Sequence, residues 1–310
     1  MEVERVRRFI IRRLFMLVIV LWGVSTVAFA LMHISGDPVA LMIDPNAPPS
    51  AVQKLRQDLG LDAPLYVQYF RFLLGVTGGD FGNSIRQGVP AFSLVMQRVP
   101  ATMELAVVST LVAVITGVPL GIAAALKRGT LLEVGVMSSA LFGQSVPAFW
   151  LGLVLILILG VYMRVLPVSG RGTLAMMVMP VITLSVNSIA KITRMLRSSM
   201  LEQMNQDYVR TARSKGLAES RVIVGHVLKN ASLSVVTLVG MDFAHLLGGA
   251  VIIETVFAWP GVGNLVVNAV FQRDFPVVQA AVFAMGLVFV AINLLMDLLY
   301  VTLDPRIDFD

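Results

Sequence analysis

The sequence predicts an all-α polytopic membrane protein of six transmembrane helices, with the N- and C-termini both cytoplasmic. Three observations carry this. Of 310 residues, 57% are hydrophobic and only 14% charged, and the mean hydropathy is +0.83, well outside the range of soluble domains. Six apolar stretches approach the roughly 20 residues a helix needs to cross a hydrocarbon core of about 30 Å. The Lys and Arg residues are also distributed unevenly between the segments that join those stretches.

Leu14–Gly36 is the first stretch, free of Asp, Glu, Lys and Arg, behind a basic start containing Arg5, Arg7, Arg8, Arg12 and Arg13. An Arg-rich start followed by Ala28-Phe29-Ala30 superficially resembles a cleavable signal peptide. The apolar region of such a peptide is only about 7–15 residues, and this run is longer, so residues 1–36 are expected to remain as a basic N-terminus and first helix. Gly36 and Pro38 stop it.

Residues 37–100 are expected to form an external segment. Asp44–Ser50 reads as a loop with Ser50 as an N-cap, Ala51–Leu59 as a short helix closed by Gly60, and Pro64–Leu74 as a second amphipathic helix. The latter carries Leu65, Tyr69, Phe72 and Leu73 on one side and suits the membrane interface. Two roles stay open for the segment: a small cap packed on helix ends, or a grip on ligand.

Residues 101–310 hold the other five helices. Leu105–Leu126 contains Gly117 and Gly121, small residues four apart that permit close helix approach, with Pro119 expected to kink or break the ladder. Val134–Met163 contains Pro147, another break of the kind tolerated beside neighbouring helices or a cavity. Gly172–Ala190 is slightly shorter and runs into Lys191, Arg194 and Arg197, which read as an end anchor. Ala231–Ile253 is interrupted only by Asp242. An outer Pro-Gly turn, Trp259–Gly263, places Trp259 at the interface, and Phe275–Met296 closes the set before Asp304-Pro305.

Placing the N-terminus inside puts Lys127, Arg128, Arg306, the five N-terminal arginines and every cation of Lys191–Lys229 on the same side, sixteen of the 24 Lys and Arg. Most of the rest lie in the long external segment, whose charges count little. The net charge of +5 follows from that topology, so no nucleic-acid partner is inferred. The absence of cysteine excludes disulfides and thiolate metal sites.

Catalytic and cofactor motifs are missing. No G-x-x-x-x-G-K-[ST] occurs, so the chain carries no P-loop of its own; His33, His226 and His245 form no metal-ligand pair, and no G-x-S-x-G is present. Neither an enzyme role nor a metal or cofactor site is expected. Asp242 remains, since an ionisable group near the middle of a span is by default a functional candidate. Together with His245 it reads as lining a substrate path, pairing with a neighbouring helix, or relaying protons, and Pro147 and Phe149 at the break are further path candidates.

The charged interruption at residues 197–230 must lie in water, because each of Arg210, Arg213, Lys215 and Arg221 would cost roughly 2.5–3.5 kcal/mol at a helix centre. Leu201–Lys215 reads as one helix with Met204, Tyr208 and Ala212 at four-residue spacing, ended by Gly216. A second short apolar-periodic helix with Ile223, Val227 and Leu228 follows.

Asp207–Leu217 followed by His226–Ala231 resembles the coupling loop of bacterial ABC-importer permeases, in the dipeptide, oligopeptide and nickel branch. That family's loop runs Glu-Ala-Ala, three residues, Gly, nine residues, Ile-x-Leu-Pro. Here Gly216 takes the glycine, Thr211-Ala212 the small pair and Leu228 the leucine, while Arg210, His226 and Lys229 replace the glutamate, isoleucine and proline. Further similar segments run nearly end to end, among them Gly79–Ser84, Arg98–Thr102, Val146–Trp150, Leu166–Gly170, Gly249–Phe257, Trp259–Gly263 and Leu303–Arg306. The long external segment resembles the first of the two permeases in such systems.

This resemblance implies a type I importer permease fold and a subunit that moves di- or oligopeptides. Its implied partners are a related second permease, two cytoplasmic ATPases that bind the ATP and Mg, and an external solute-binding protein, all assembled in the inner membrane. It implies that Tyr208, Arg210, Thr211, Ala212, Arg213, Lys215, Gly216 and Leu217 contact the ATPases. Nickel chelates, glutathione or another small solute are alternative cargo for the same machinery. Two readings of other classes are a stand-alone ion-coupled transporter using Asp242, and an intramembrane hydrolase, for which no nucleophile is evident.

Overall fold

Apolar runs of this length can satisfy their backbone inside a bilayer only as helices or closed barrels, and helices are the result. The computed structural model describes residues 2–34, 39, 48–58 and 60–303, with backbone alone at 2–14, 31, 33, 34, 55, 58 and 297–303. The helix stops expected at Gly36-Pro38 and Asp304-Pro305, and the start of the Asp44–Ser50 loop, lie outside the described residues. Eleven helices follow one another among the described residues: α1 Glu2–Ile34, α2 Pro49–Asp58, α3 Leu65–Thr77, α4 Ala91–Leu126, α5 Leu131–Ser145, α6 Ala148–Tyr162, α7 Leu174–Met204, α8 Asp207–Ser214, α9 Glu219–Val256, α10 Val262–Phe271 and α11 Phe275–Leu303. The only strand-like pairing among them is an isolated bridge between Asn83 and Pro90.

Four of these helices, 91–126, 174–204, 219–256 and 275–296, are long and apolar enough to cross a membrane. A fifth crossing results if α5 and α6 count as one span, bent by 99° at residues 146–147. The bend follows from Pro147, whose ring forces Val146 out of the helical region to ψ 124°. Of the kink or break expected at Pro119, no break occurs, since α4 is continuous through it. Within α1 the described apolar stretch is Phe15–Ala30.

The chain divides into two compact units, one of residues up to Pro100 with Asn264–Leu294, the other of Ala101–Gly263 with the residues from Leu295. In the first, Phe81 is buried and centres an aromatic cluster with Phe72, Phe92 and Phe283 at ring distances of 6.2, 5.6 and 5.2 Å. The Tyr69 and Thr26 hydroxyls share a 2.7 Å hydrogen bond that pins α3 to α1. Of the side of α3 expected at the membrane interface, Leu65 is exposed, as are Tyr66, Phe70 and Leu74. Helix α2 begins at Pro49, a residue before the expected cap, so Ser50 lies within it; Pro48 O takes the first free N–H groups. Buried Asp274 accepts hydrogen bonds from Ser84 Oγ (2.5 Å), Ile85 N (3.1 Å) and Arg86 N (3.4 Å), fixing the loop before α4 to the start of α11.

The second unit is built on close approach. Cβ atoms added at Gly117 and Gly121 of α4 would stand 3.0 Å from the side chains of Ile192 and Leu196 on α7, so the glycines let the two backbones pack at a distance no larger residue permits. Trp259, expected at the interface, is instead fully buried, its Nε1–H donating to Ala101 O at 2.9 Å. The turn that carries it is locked by Thr102, whose hydroxyl donates to buried Glu254 (2.6 Å) and accepts from Val262 N (2.9 Å). Glu254 fills the space beside Gly261 and Gly263. Helix α10 follows directly, where the sequence reading placed only a turn.

Candidate functional site

The expected single helix over Leu201–Lys215 is two helices. Helix α7 ends at Met204, the chain turns at Asn205 and Gln206, and α8 begins at Asp207 after an extended Gln206 with ψ 150°. The break is chemical: Asn205 Nδ2 donates back to Leu201 O at 3.0 Å, and Asp207 puts a carboxylate in the first turn of the new helix. Met204 therefore belongs to a different helix from Tyr208 and Ala212. The second short helix expected beyond Gly216 is the start of α9, continuous through a π-helical turn at Ile223–Leu228.

Helix α8 is sharply two-sided. Val209 and Ala212 are buried with Val222, Ile223 and Val227, and Leu217 and Met204 pack against them. Tyr208, Arg210, Thr211, Arg213, Lys215 and Gly216 are exposed. Of the eight residues proposed for partner contact, then, six present themselves at the surface, while Ala212 and in part Leu217 hold the helix to its own chain.

Local bonds fix the exposed side. Tyr208 OH donates to Gln203 Oε1 at 2.6 Å, and Arg213 pairs with Glu219 at 2.7 Å across the Gly216 turn. The hydrogen bond from Arg213 holds the Glu219 carboxyl below the ordinary carboxylate range. The Arg210–Asp207 pair, at 3.7 Å and nearly fully exposed, contributes little. Gly216 adopts φ +76° with nothing within 4 Å of a would-be Cβ, so backbone conformation rather than space demands glycine there.

The Asp242 carboxylate is buried and bonded to two side chains of α7, accepting from Ser188 Oγ and from Lys191 Nζ, the latter at 2.5 Å. His245 on the next turn is exposed, and so are Pro147 and Phe149 at the α5–α6 bend. Two further polar pairs follow along α7: Arg194 bonds Gln144 of α5, and Arg197 bonds Glu133 with an Nε contact of 2.7 Å. Glu133 also accepts from Gly129 N at 2.6 Å, closing the turn before α5. These cations and Gln144 line a cavity of about 500 Å³ with Met137, Met195 and Leu238.

Sequence reading took Lys191, Arg194 and Arg197 as an anchor and missed the partners. Their i, i+3 spacing was the available signal for a shared face; Asp242, Gln144 and Glu133 lie tens of residues away. Among the described residues no three His, Asp or Glu side chains gather closely enough to hold a metal. The arrangement offers ion pairs along α7 and a short two-sided helix, α8, whose outward face is polar.

Several helices long and apolar enough to cross a membrane define an integral membrane protein, and comparison with known proteins names its class. Residues 117–309 match the family described as "Binding-protein-dependent transport system inner membrane component", and residues 6–106 match "Binding-prot-dependent transport system membrane comp, N-term". The chain belongs to this family of inner-membrane transport components. It is 38% identical to the dipeptide transport system permease protein DppB of Escherichia coli K12, over 97% of this chain and 98% of that one. It is also 38% identical to the oligopeptide transport system permease protein AppB of Bacillus subtilis, over 97% and 99%. A solved structure titled as an inward-facing conformation of the MetNI methionine ABC transporter superposes with a TM-score of 0.58 at 19% identity, covering 68% of this chain and 96% of its own; that likeness supports the fold.

Proposed function

We propose that this chain is the transmembrane permease subunit of an ATP-driven importer that moves di- or oligopeptides delivered by an external solute-binding protein. The observation that carries this is 38% identity over nearly the full length of both chains to permeases named for dipeptide and oligopeptide transport. In this reading the membrane is crossed six times with both termini cytoplasmic: α1, α4, the bent α5–α6 pair, α7, α9 and α11. Residues 1–36 are the basic N-terminus and first span, 37–100 the external segment, and 101–310 the permease core.

The chain acts with a second, related permease, and two cytoplasmic ATPases supply the ATP and Mg chemistry it lacks. Helix α8 and the Gly216 turn, within loop 197–230, form the contact through which ATPase closure is transmitted. Tyr208, Arg210, Thr211, Arg213, Lys215 and Gly216 are its outward residues, with Ala212 and Leu217 supporting it from within. Coupling requires that this contact differ in energy between the two states of the bundle. Asp242 serves chiefly to pair α9 with α7, a role its bonds to Ser188 and Lys191 support.

The ligand retained by the binding protein that associates with this chain tests the cargo. Mass spectrometry of that ligand is expected to return short peptides; a nickel chelate or a saccharide in their place rejects the peptide assignment while leaving the importer reading standing.

A further inference from the structure

The cavity between α5, α7 and α9 has an uneven charge balance. Lys191, Arg194 and Arg197 stand three residues apart, so successive turns of α7 present cations toward neighbouring elements. Lys191 is paired with Asp242 and Arg197 with Glu133. Arg194 bonds only the neutral amide of Gln144, and no carboxylate among the described residues lies within ion-pair range of it. One uncompensated positive charge therefore stands exposed on the wall of an open pocket of about 500 Å³, and its guanidinium fork keeps donors to spare for an incoming anion.

The rest of the lining suits a variable solute. Met137 and Met195 are unbranched thioethers that adapt to different shapes, and Leu238 adds apolar wall. The Gln144 amide nitrogen makes no bond among the described residues while its oxygen takes Arg194, leaving a donor for an amide backbone. Peptides differ in their side chains and share a backbone and a terminal carboxylate. A path that passes many of them needs adaptable walls and one fixed cation, and the pocket's volume lies within the range of small-ligand sites.

We propose that this cavity is an anion site on the solute's path, in which Arg194 takes the carboxylate of the translocated peptide. The proposal rests on the peptide-permease reading. A carboxylate and a lipid phosphate share the chemistry that Arg194 recognises, so the test must separate them.

The complete complex is reconstituted into phosphatidylcholine vesicles and, in parallel, into vesicles that also contain cardiolipin. Uptake of dialanine, loaded on the binding protein, is measured per complex recovered. Arg194→Gln is expected to lower uptake about tenfold in both vesicle types, the size of a lost charge-assisted contact. Arg194→Lys, which keeps the charge and loses the fork, is expected to recover part of it, and Gln144→Leu to lower uptake severalfold. Unchanged uptake in Arg194→Gln overturns the site, and equal losses in the Lys and Gln variants overturn recognition by charge. A loss confined to cardiolipin vesicles overturns the substrate assignment and gives the cavity to a lipid headgroup. Absence of uptake by the unmutated complex sinks the peptide reading itself, a result distinct from any failure of Arg194.

Discussion

Asp242 and Lys191 are unequal partners in one ion pair. The Asp242 side chain is 8% exposed and that of Lys191 is 34% exposed, so removing the lysine strands a buried charge, while removing the aspartate leaves one that is only partly buried. Breaking a buried pair costs about 3–5 kcal/mol, and partial exposure of Lys191 reduces that. Lys191→Met is therefore expected to lower the melting temperature of the detergent-solubilised complex more than Asp242→Asn does. The double variant Lys191→Met/Asp242→Leu is expected to recover much of the loss, and a double variant as unstable as the sum of the singles would show that the pair does not act as a unit. Asp242 was conspicuous in the sequence because a carboxylate inside an apolar run has few explanations. Its partner was not conspicuous, because a lysine at the end of a span reads equally well as an anchor and the contact joins residues 51 apart.

At the scale of elements, glycines decide two things for different reasons. At Gly216 the constraint is conformational: φ is +76° and the N–H donates to Arg213 O at 2.9 Å. Proline can supply neither the angle nor the donor. Gly216→Pro is expected to leave membrane insertion intact and to abolish solute-stimulated ATP hydrolysis, and wild-type stimulation in that variant would remove the turn from the coupling account. At Gly121 the constraint is spatial. A leucine there must displace Leu196 and the backbone of α7, at a cost of about 1–3 kcal/mol or more, so Gly121→Leu should lower the melting temperature; an unchanged melting curve would mean that α4 and α7 do not pack this closely. Both glycines were legible in the sequence, one as a helix end and one as half of a small-residue pair. The break at Asn205 was less so, because straight-chain residues on both sides disguise the two-residue turn that Asn205 and Asp207 set. Trp259 was misread since a Trp beside Pro-Gly fits a membrane interface as well as it fits the Thr102–Glu254 pocket. Helix α10 was missed because its Val-rich sequence follows a turn signal and lacks the length of a span.

For the whole molecule, the apolar pattern of the sequence reveals helices and crossings, and the family match agrees with the resemblance in its motifs. Pro147 signalled the bend between α5 and α6, whereas periodicity could not reveal the packing of Phe72, Phe92 and Phe283 around Phe81 or the pocket beside Arg194, both of which depend on contacts between distant segments. In the proposed function this chain is a passive membrane path worked by its partners. Dipeptide uptake into proteoliposomes, measured with each subunit omitted in turn, tests it most directly. Uptake is expected only when both permeases, both ATPases, the binding protein and ATP are present, and none from this chain alone under a proton or sodium gradient. Gradient-driven uptake by this chain alone would contradict the account and return Asp242 to the centre of the mechanism.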